Sequence, residues 1–271
     1  MDVRLDHPRG ASSPPLVTNA RLGLGHGEVV VIVGAAGVGT SRIIAAALGE
    51  VPCAEGHVEV FGRDVAKLRR SSLRLLRRRI GIVPQDLCLL EDRSAQLNVV
   101  LPLEIDGVPR AASIARAAEV LAAMGLEDEA SLPVDCMSAS ARQRVAVARA
   151  LVRDPELILA DHPTSWQDAE GAERVCEAFY EAAAGRGASV LVFGRDPALR
   201  AIADRNKWKQ MALIDGRLVS MEELADQAID DVLVAIDSVP TPIQTDDELD
   251  DDSAIPNLVR FPITARTAGA R

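Results

Sequence analysis

The eight residues Gly34–Ser41, GAAGVGTS, constrain this chain more than any other stretch. They follow a continuous apolar run, Gly27 to Val33 (GEVVVIV), and lead into SRIIAAAL over 41–48. An apolar run of that length reads as a strand buried on both faces, and the segment after it reads as a helix. A glycine-rich turn between the two aims backbone N–H groups at a helix N-terminus, where anions bind. The pattern G-x-x-x-x-G-K-[ST] adds a lysine for the β- and γ-phosphates and a hydroxyl for Mg²⁺. Gly34, Gly37, Gly39 and Ser41 fit it; Thr40, neutral and short, stands at the lysine position.

Downstream the pattern alternates. HVEVF over 57–61 reads as an edge strand, and IGIVP over 80–84, LILAD over 157–161, VLVF over 190–193 and MALI over 211–214 read as core strands. Residues 110–124 and 138–152 carry helical spacing, with Ser138 placed to cap the second segment. Strands alternating with helices imply an α/β fold with a mostly parallel sheet. A last helix is expected over 220–235, opened by the capping box Ser220-x-x-Glu223.

Charge is uneven. From Glu222 on there are twelve Asp/Glu against three Arg, so this end carries −9 of the net −10. The acidity belongs to the tail and argues against nucleic acid as its partner. Residues 238–271, with Pro240, Pro242 and the acidic run Asp246 to Asp252, read as disordered. The apolar cluster IPNLVRFPI over 255–263 within them is either a frayed end or a docking segment. Lys67, Arg69, Arg70, Arg74, Arg77, Arg78 and Arg79 form a cation run that is either a solvated helix face or a contact for anionic lipid. Four scattered cysteines, 53, 88, 136 and 176, without a CxxC pair read as reduced thiols in a cytoplasmic protein. No secretory leader pattern opens the chain, and no apolar run reaches the ~18 residues of a membrane span. Aromatics are 3% of the chain, so its core must be aliphatic.

Beyond the phosphate loop, three segments recur in a telling order: IGIVPQDLCLLEDRSAQLNVVLPL over 80–103, MSASARQRVAVARAL over 137–151 and DPELILADHPTSWQD over 154–168. Together they resemble the ATP-binding domain of ABC proteins over roughly residues 3–220. Within that family the stretch LRLLRRRIGIVPQDLCLLEDRSAQLNVVLPLEIDG is most similar to the cell-division ATP-binding protein FtsE, then to lipoprotein-export and macrolide-export ATP-binding subunits.

The resemblance implies a P-loop fold of ABC type, with an antiparallel β subdomain and a helical signature subdomain beside the mostly parallel core sheet. It implies a domain over 1–221 with the helical part at about 86–155, followed by a helix over 222–237 and the acidic tail over 238–271. Gly34, Ala35, Ala36, Gly37, Val38, Gly39, Thr40 and Ser41, with Gln85 and Asp161, would contact ATP. Ser41, Gln85 and Asp161 would hold Mg. Ser138, Ala139 and Ser140 occupy the signature, and Asp168 the dimer-interface aspartate.

The same alignment of motifs shows departures. His162 stands where the family has the water-polarising glutamate, and Arg195 where it has the switch histidine. Ala139 and Ser140 replace two signature glycines, and the N-terminal segment VRLDHPRGASSP offers only His7 as a ring near adenine. These imply a weak or lost ATPase, with Arg195 a candidate to replace the cation missing at position 40. The family arrangement further implies a homodimer or heterodimer of ATP-binding subunits and no nucleic acid. The segment after Gln85, through Asn98 and Leu101, either forms the groove that receives an integral permease-like partner of FtsX type or simply maintains the fold. The protein would then sit in the cytoplasm, peripheral on the inner face of the cell membrane.

Overall fold

The computed structural model describes residues 2–5, 17–34 and 39–225. Ala35, Ala36, Gly37 and Val38, His7, the part of the expected last helix past residue 225 and the acidic tail lie outside the described residues.

Strand β1 (Asp2–Leu5) pairs antiparallel with β2 (Val17–Arg21), and β3 (Val29–Gly34) is the element before α1 (Thr40–Ala47). Next come β4 (Glu55–His57), β5 (Glu59–Val60), β6 (Arg63–Asp64), α2 (Arg70–Arg78) and β7 (Ile80–Val83). Three helices follow: α3 (Ala95–Ile105), α4 (Arg110–Ala123) and α5 (Ala139–Leu151). The chain then runs through β8 (Leu157–Asp161), α6 (Ala169–Arg186), β9 (Ser189–Phe193), α7 (Pro197–Arg205), β10 (Lys209–Ile214), β11 (Arg217–Ser220) and α8 (Met221–Ala225).

The core sheet has the order β11-β10-β3-β9-β8-β7, and every pairing is parallel except β10 with β11. β3 lies between β9 and β10, with Val31 opposite both Val192 and Gln210, and all six of its residues are buried. That explains why its sequence is continuously apolar rather than alternating. Its period still shows in the packing. Val29, Val31 and Val33 join the cluster under α5 and α6, whereas Val30 and Ile32 join the one under α1. Gly81 of β7 is required by close approach: a Cβ there would stand 2.4 Å from the Ala150 carbonyl oxygen of α5.

The edge strand expected over 57–61 is not one strand. β4 pairs with β1 in a three-stranded antiparallel sheet, while β5 pairs with β6 in a separate hairpin. Phe61, with φ of 53°, is already in the turn between β5 and β6. The expected caps are present. Ser138 Oγ accepts from Ala141 N at 3.1 Å, and the Ser220–Glu223 box closes with bonds of 3.1 and 3.2 Å. Among the described residues no helix is long and apolar enough to cross a membrane.

Candidate functional site

Parallel α/β sheets bind ligands beyond the carboxyl ends of their strands. Here β3 ends at Gly34 and β8 at Asp161. Gly39 reaches φ of 107°, which favours glycine, and from there α1 opens. The Ser41 hydroxyl on its first turn donates to Asp161 Oδ2 at 2.5 Å. Asp161 is only 3% exposed, and its other oxygen, Oδ1, has no hydrogen-bond partner among the described residues. A buried carboxylate oxygen without a partner carries a large desolvation cost, which a cation would offset.

Ser41, Gln85 and Asp161 line one cleft of about 930 Å³, along with apolar residues of α1 and β7. The structure thus gathers the three residues assigned to the metal by resemblance. A hydroxyl, an amide and a carboxylate are hard oxygen donors suited to Mg²⁺.

Gln85 sits on a loop whose conformation another residue maintains. Leu87 and Cys88 have φ of 57° and 46°, an unfavourable region for side chains of that kind. Arg149 of α5 donates Nη2 to the Leu87 carbonyl and Nη1 to that of Cys88, both at 2.5 Å. Burial lowers the Arg149 pKa from its ordinary value. Sequence reasoning missed this residue; its signal was a cation among the apolar positions of 138–152.

His162 follows Asp161 with φ of 54°. Its N–H donates to the Phe193 carbonyl and its carbonyl accepts from Gln143 Nε2, each at 2.7 Å. Burial, aided by the positive charge of Arg195, pushes the imidazole below its ordinary pKa against the opposing pull of Asp161 and Asp196. The ring is therefore neutral near pH 7. Arg195 is placed beside His162, and Asp196 caps α7 while accepting from Thr164 Oγ1 at 2.6 Å.

Ser138, Ala139 and Ser140 do not line the cleft; they form the cap and first turn of α5. Ser140 Oγ donates to Gln167 Oε1 at 2.9 Å, and Gln167 Nε2 returns a bond to the Ser140 carbonyl at 2.9 Å. Asp168, next in the chain, caps α6 through Gly171 N at 2.8 Å. Gln143, 2% exposed, links both groups, because its Oε1 accepts from Trp166 N and Gln167 Nε2 at 3.1 Å.

At Asn98 the fold-maintaining reading of the segment after Gln85 holds. Asn98 is fully buried and spends its amide on the 90–94 loop, with bonds to both the N–H and the carbonyl of Leu90 at 2.8 and 3.0 Å. It holds the fold rather than facing a groove. Leu101 does not line the cleft, but its neighbour Pro102 does.

Comparison with known proteins agrees with this geometry. The family described as "ABC transporter" matches residues 17–165. The chain is 35% identical over 190 residues to the methionine import ATP-binding protein MetN of Brucella abortus (strain 2308), covering 70% of this chain and 52% of that protein. It is 38% identical over 192 residues to the lipoprotein-releasing system ATP-binding protein LolD 1 of Rhodospirillum rubrum, covering 70% and 84%. The chain thus spans about half the length of the methionine-import relatives and most of the lipoprotein-release one. Among solved structures, the dimeric ATP-binding cassette MJ0796 bound to ADP and Pi is similar with a TM-score of 0.72 at 28% identity, covering 80% of this chain and 94% of that one. The chain belongs to the ABC transporter family, as an ATP-binding domain of that family.

Proposed function

We propose that this chain is an FtsE-like ABC nucleotide-binding subunit with little or no ATP hydrolysis, seated on an FtsX-type permease-like partner at the inner face of the membrane, in cell division or envelope remodelling. The observation that carries the loss of chemistry is the residue that follows Asp161 at the end of β8, the imidazole of His162 and not a carboxylate. A neutral, largely buried imidazole supplies no fixed negative charge to polarise water at the end of β8.

Thr40 supports the same reading. Without a cation at that position, one or more charge-assisted hydrogen bonds of about 1.5–3 kcal/mol each are missing, which weakens ATP binding ~10- to 100-fold. Ala139 and Ser140 place a Cβ where a close backbone approach to phosphate would need glycine. Mg²⁺, when bound, would neutralise phosphate charge. Ser41 and Asp161 would hold it, and Gln85 would sense it from its loop. Arg195 is proposed to return part of the missing positive charge, so Arg195→Ala should weaken nucleotide binding further. Docking is supported by the cleft itself, whose walls from Leu48 to Pro102 are largely apolar.

A second reading is a working ATPase subunit of a transporter. It is favoured by the retained Ser41–Asp161 pair and the unpartnered Asp161 Oδ1. In a third arrangement the chain forms the degenerate half of a heterodimer with an intact ATPase, which co-purification of such a subunit would support. Nucleotide titration and steady-state phosphate release on the wild type beside Thr40→Lys separate the first two. The proposal expects no turnover above background, with binding tightened ~10-fold or more in Thr40→Lys. Mg-ATP turnover that disappears in Asp161→Asn overturns it.

A further inference from the structure

The cation run left two readings open at the sequence level, and its placement in the fold favours one. α2 (RSSLRLLRR) contains no acidic residue. Its inner face is anchored by Leu76, 2% exposed, while Arg70, Arg74 and Arg78 lie one turn apart along the outer face. Several cations of the run are committed to the fold. Lys67 pairs with Asp64, Arg77 donates to the Leu48 carbonyl, Arg78 pairs with Asp106 and Arg79 with Glu156. Arg69, Arg70 and Arg74 are exposed, and among the described residues none of their guanidinium groups makes a hydrogen bond or an ion pair.

This arrangement works against the helix. Arg69 is the N-cap residue and Arg70 opens the first turn, so both stand at the positive end of the helix dipole. Arg70 and Arg74 are like charges at i,i+4 spacing, which is also unfavourable. An external anion reverses both effects. Beside these cations Leu75 is 62% exposed. Ile105 is also 62% exposed and precedes Asp106, the carboxylate shared by Arg78 at 3.3 Å and Arg153 at 2.6 Å. Large apolar side chains therefore flank the same ion-pair knot that ties α2 to the end of α3.

We propose that the exposed surface of α2, with Arg70, Arg74 and Leu75 on the helix and Arg69 at its N-terminus, is a direct contact for anionic lipid headgroups. Cations set beside exposed apolar side chains match a bilayer interface, which offers phosphate charge and acyl chain within a few ångströms of each other. An acidic protein segment would use the arginines and leave Leu75 in water. The contact goes beyond the docking reading, because it requires no membrane protein and none of its four residues lines the cleft.

The test is co-sedimentation of the purified full chain with vesicles of phosphatidylcholine alone or containing about a third phosphatidylglycerol, with no partner protein present. The chain is expected to bind the anionic vesicles and to lose binding steeply with salt. Each near-surface cation contributes about fivefold to partitioning, so Arg69→Gln/Arg70→Gln/Arg74→Gln should lower it on the order of a hundredfold. Its unchanged or raised melting temperature would show an intact fold. Leu75→Ser should weaken vesicle binding severalfold while leaving binding to soluble poly-glutamate unchanged. Equal partitioning of wild type and triple variant overturns the proposal, as does absence of preference for anionic vesicles. Tight poly-glutamate binding with vesicle binding indifferent to Leu75→Ser also overturns it, and points to an acidic protein instead. Failure of the docking reading would appear in nucleotide and co-purification assays, which contain no lipid surface.

Discussion

Gln143 offers the sharpest test of how the segment after β8 is held. Its side chain is 2% exposed and makes three hydrogen bonds: to the His162 carbonyl at 2.7 Å, and from Trp166 N and Gln167 Nε2 at 3.1 Å. Gln143→Met keeps length and approximate volume, so the cavity term is small. What remains is the cost of orphaned partners. The His162 carbonyl loses its only side-chain donor in a largely buried position, at about 1–3 kcal/mol. Trp166 is 38% exposed, so its N–H recovers water at a cost under about 1 kcal/mol. The expected loss is about 1–4 kcal/mol, read as a shift of the urea midpoint at constant m-value, or as a fall of about 2–4 °C in melting temperature per kcal/mol. Gln167→Met is the comparison: it leaves the bonds from Gln143 to His162 and Trp166 in place and gives up two bonds with Ser140 and one with Gln143, and because Ser140 and Gln167 are only half-buried and can regain water, it should cost less than Gln143→Met. Acrylamide quenching gives a second readout, since Trp208 is 8% exposed and Trp166 dominates the accessible signal. Quenching should rise in Gln143→Met. A loss below about 0.5 kcal/mol, or equal losses in the two variants, would refute the anchoring argument.

Two further outcomes follow from titration. The folded-state pKa of His162 is lowered from 6.5. Protonation is thus easier in the unfolded chain, and His162 makes stability fall as pH drops below 6.5 toward the folded value, while contributing no slope above it. The slope is at most about 1.4 kcal/mol per pH unit, and His162→Asn, which tolerates the left-handed backbone, should flatten this part of the stability–pH curve. An unchanged curve would show that the ring is not buried as described. Cys176 is 1% exposed, and burial pushes its thiol up to about 12. At pH 8 iodoacetamide should modify the exposed Cys88 and Cys136 but spare Cys176 until denaturant is added, as peptide mass mapping would report. Native labelling of Cys176 at the rate of Cys136 would contradict the packing.

Legibility in the sequence followed from how each element is buried. β3 and β8 are fully buried, so their apolar runs could mean little else. The Ser138 cap was readable because a hydroxyl before a helical period has one common use. The hairpin of β5 and β6 was not, because two-residue strands are too short to show a period, and Val58 between β4 and β5 is buried as though the run continued. Arg149 and Gln143 were hidden for a different reason. Both lie on α5 among apolar neighbours, and their value comes from carbonyls 61 and 19 residues away in sequence. Helical spacing shows that such a residue faces inward; it does not show which backbone group it will meet. Asn98 was open to both readings of its segment, and only the structure shows that its amide satisfies the loop at Leu90.

The same geometry explains how the proposed loss of chemistry can leave the fold intact. At His162 the N–H and the carbonyl are both committed, to Phe193 and Gln143, so the backbone is held whatever ring it carries. Thr40 and Ala139 are the first residues of α1 and α5, where a helix leaves its N–H groups unpaired and places few demands on side chains. Ser140 has acquired a structural use, because its hydroxyl reaches Gln167 and ties the start of α5 to the segment before Asp168. A glycine there could not make that bond. Side chains aimed at a ligand can therefore change while the sheet, the caps and the Gln143 anchor stay fixed. Ser41 and Asp161 differ, since their hydrogen bond joins α1 to β8 across 120 residues. That structural duty gives a reason for both to persist independently of any ligand.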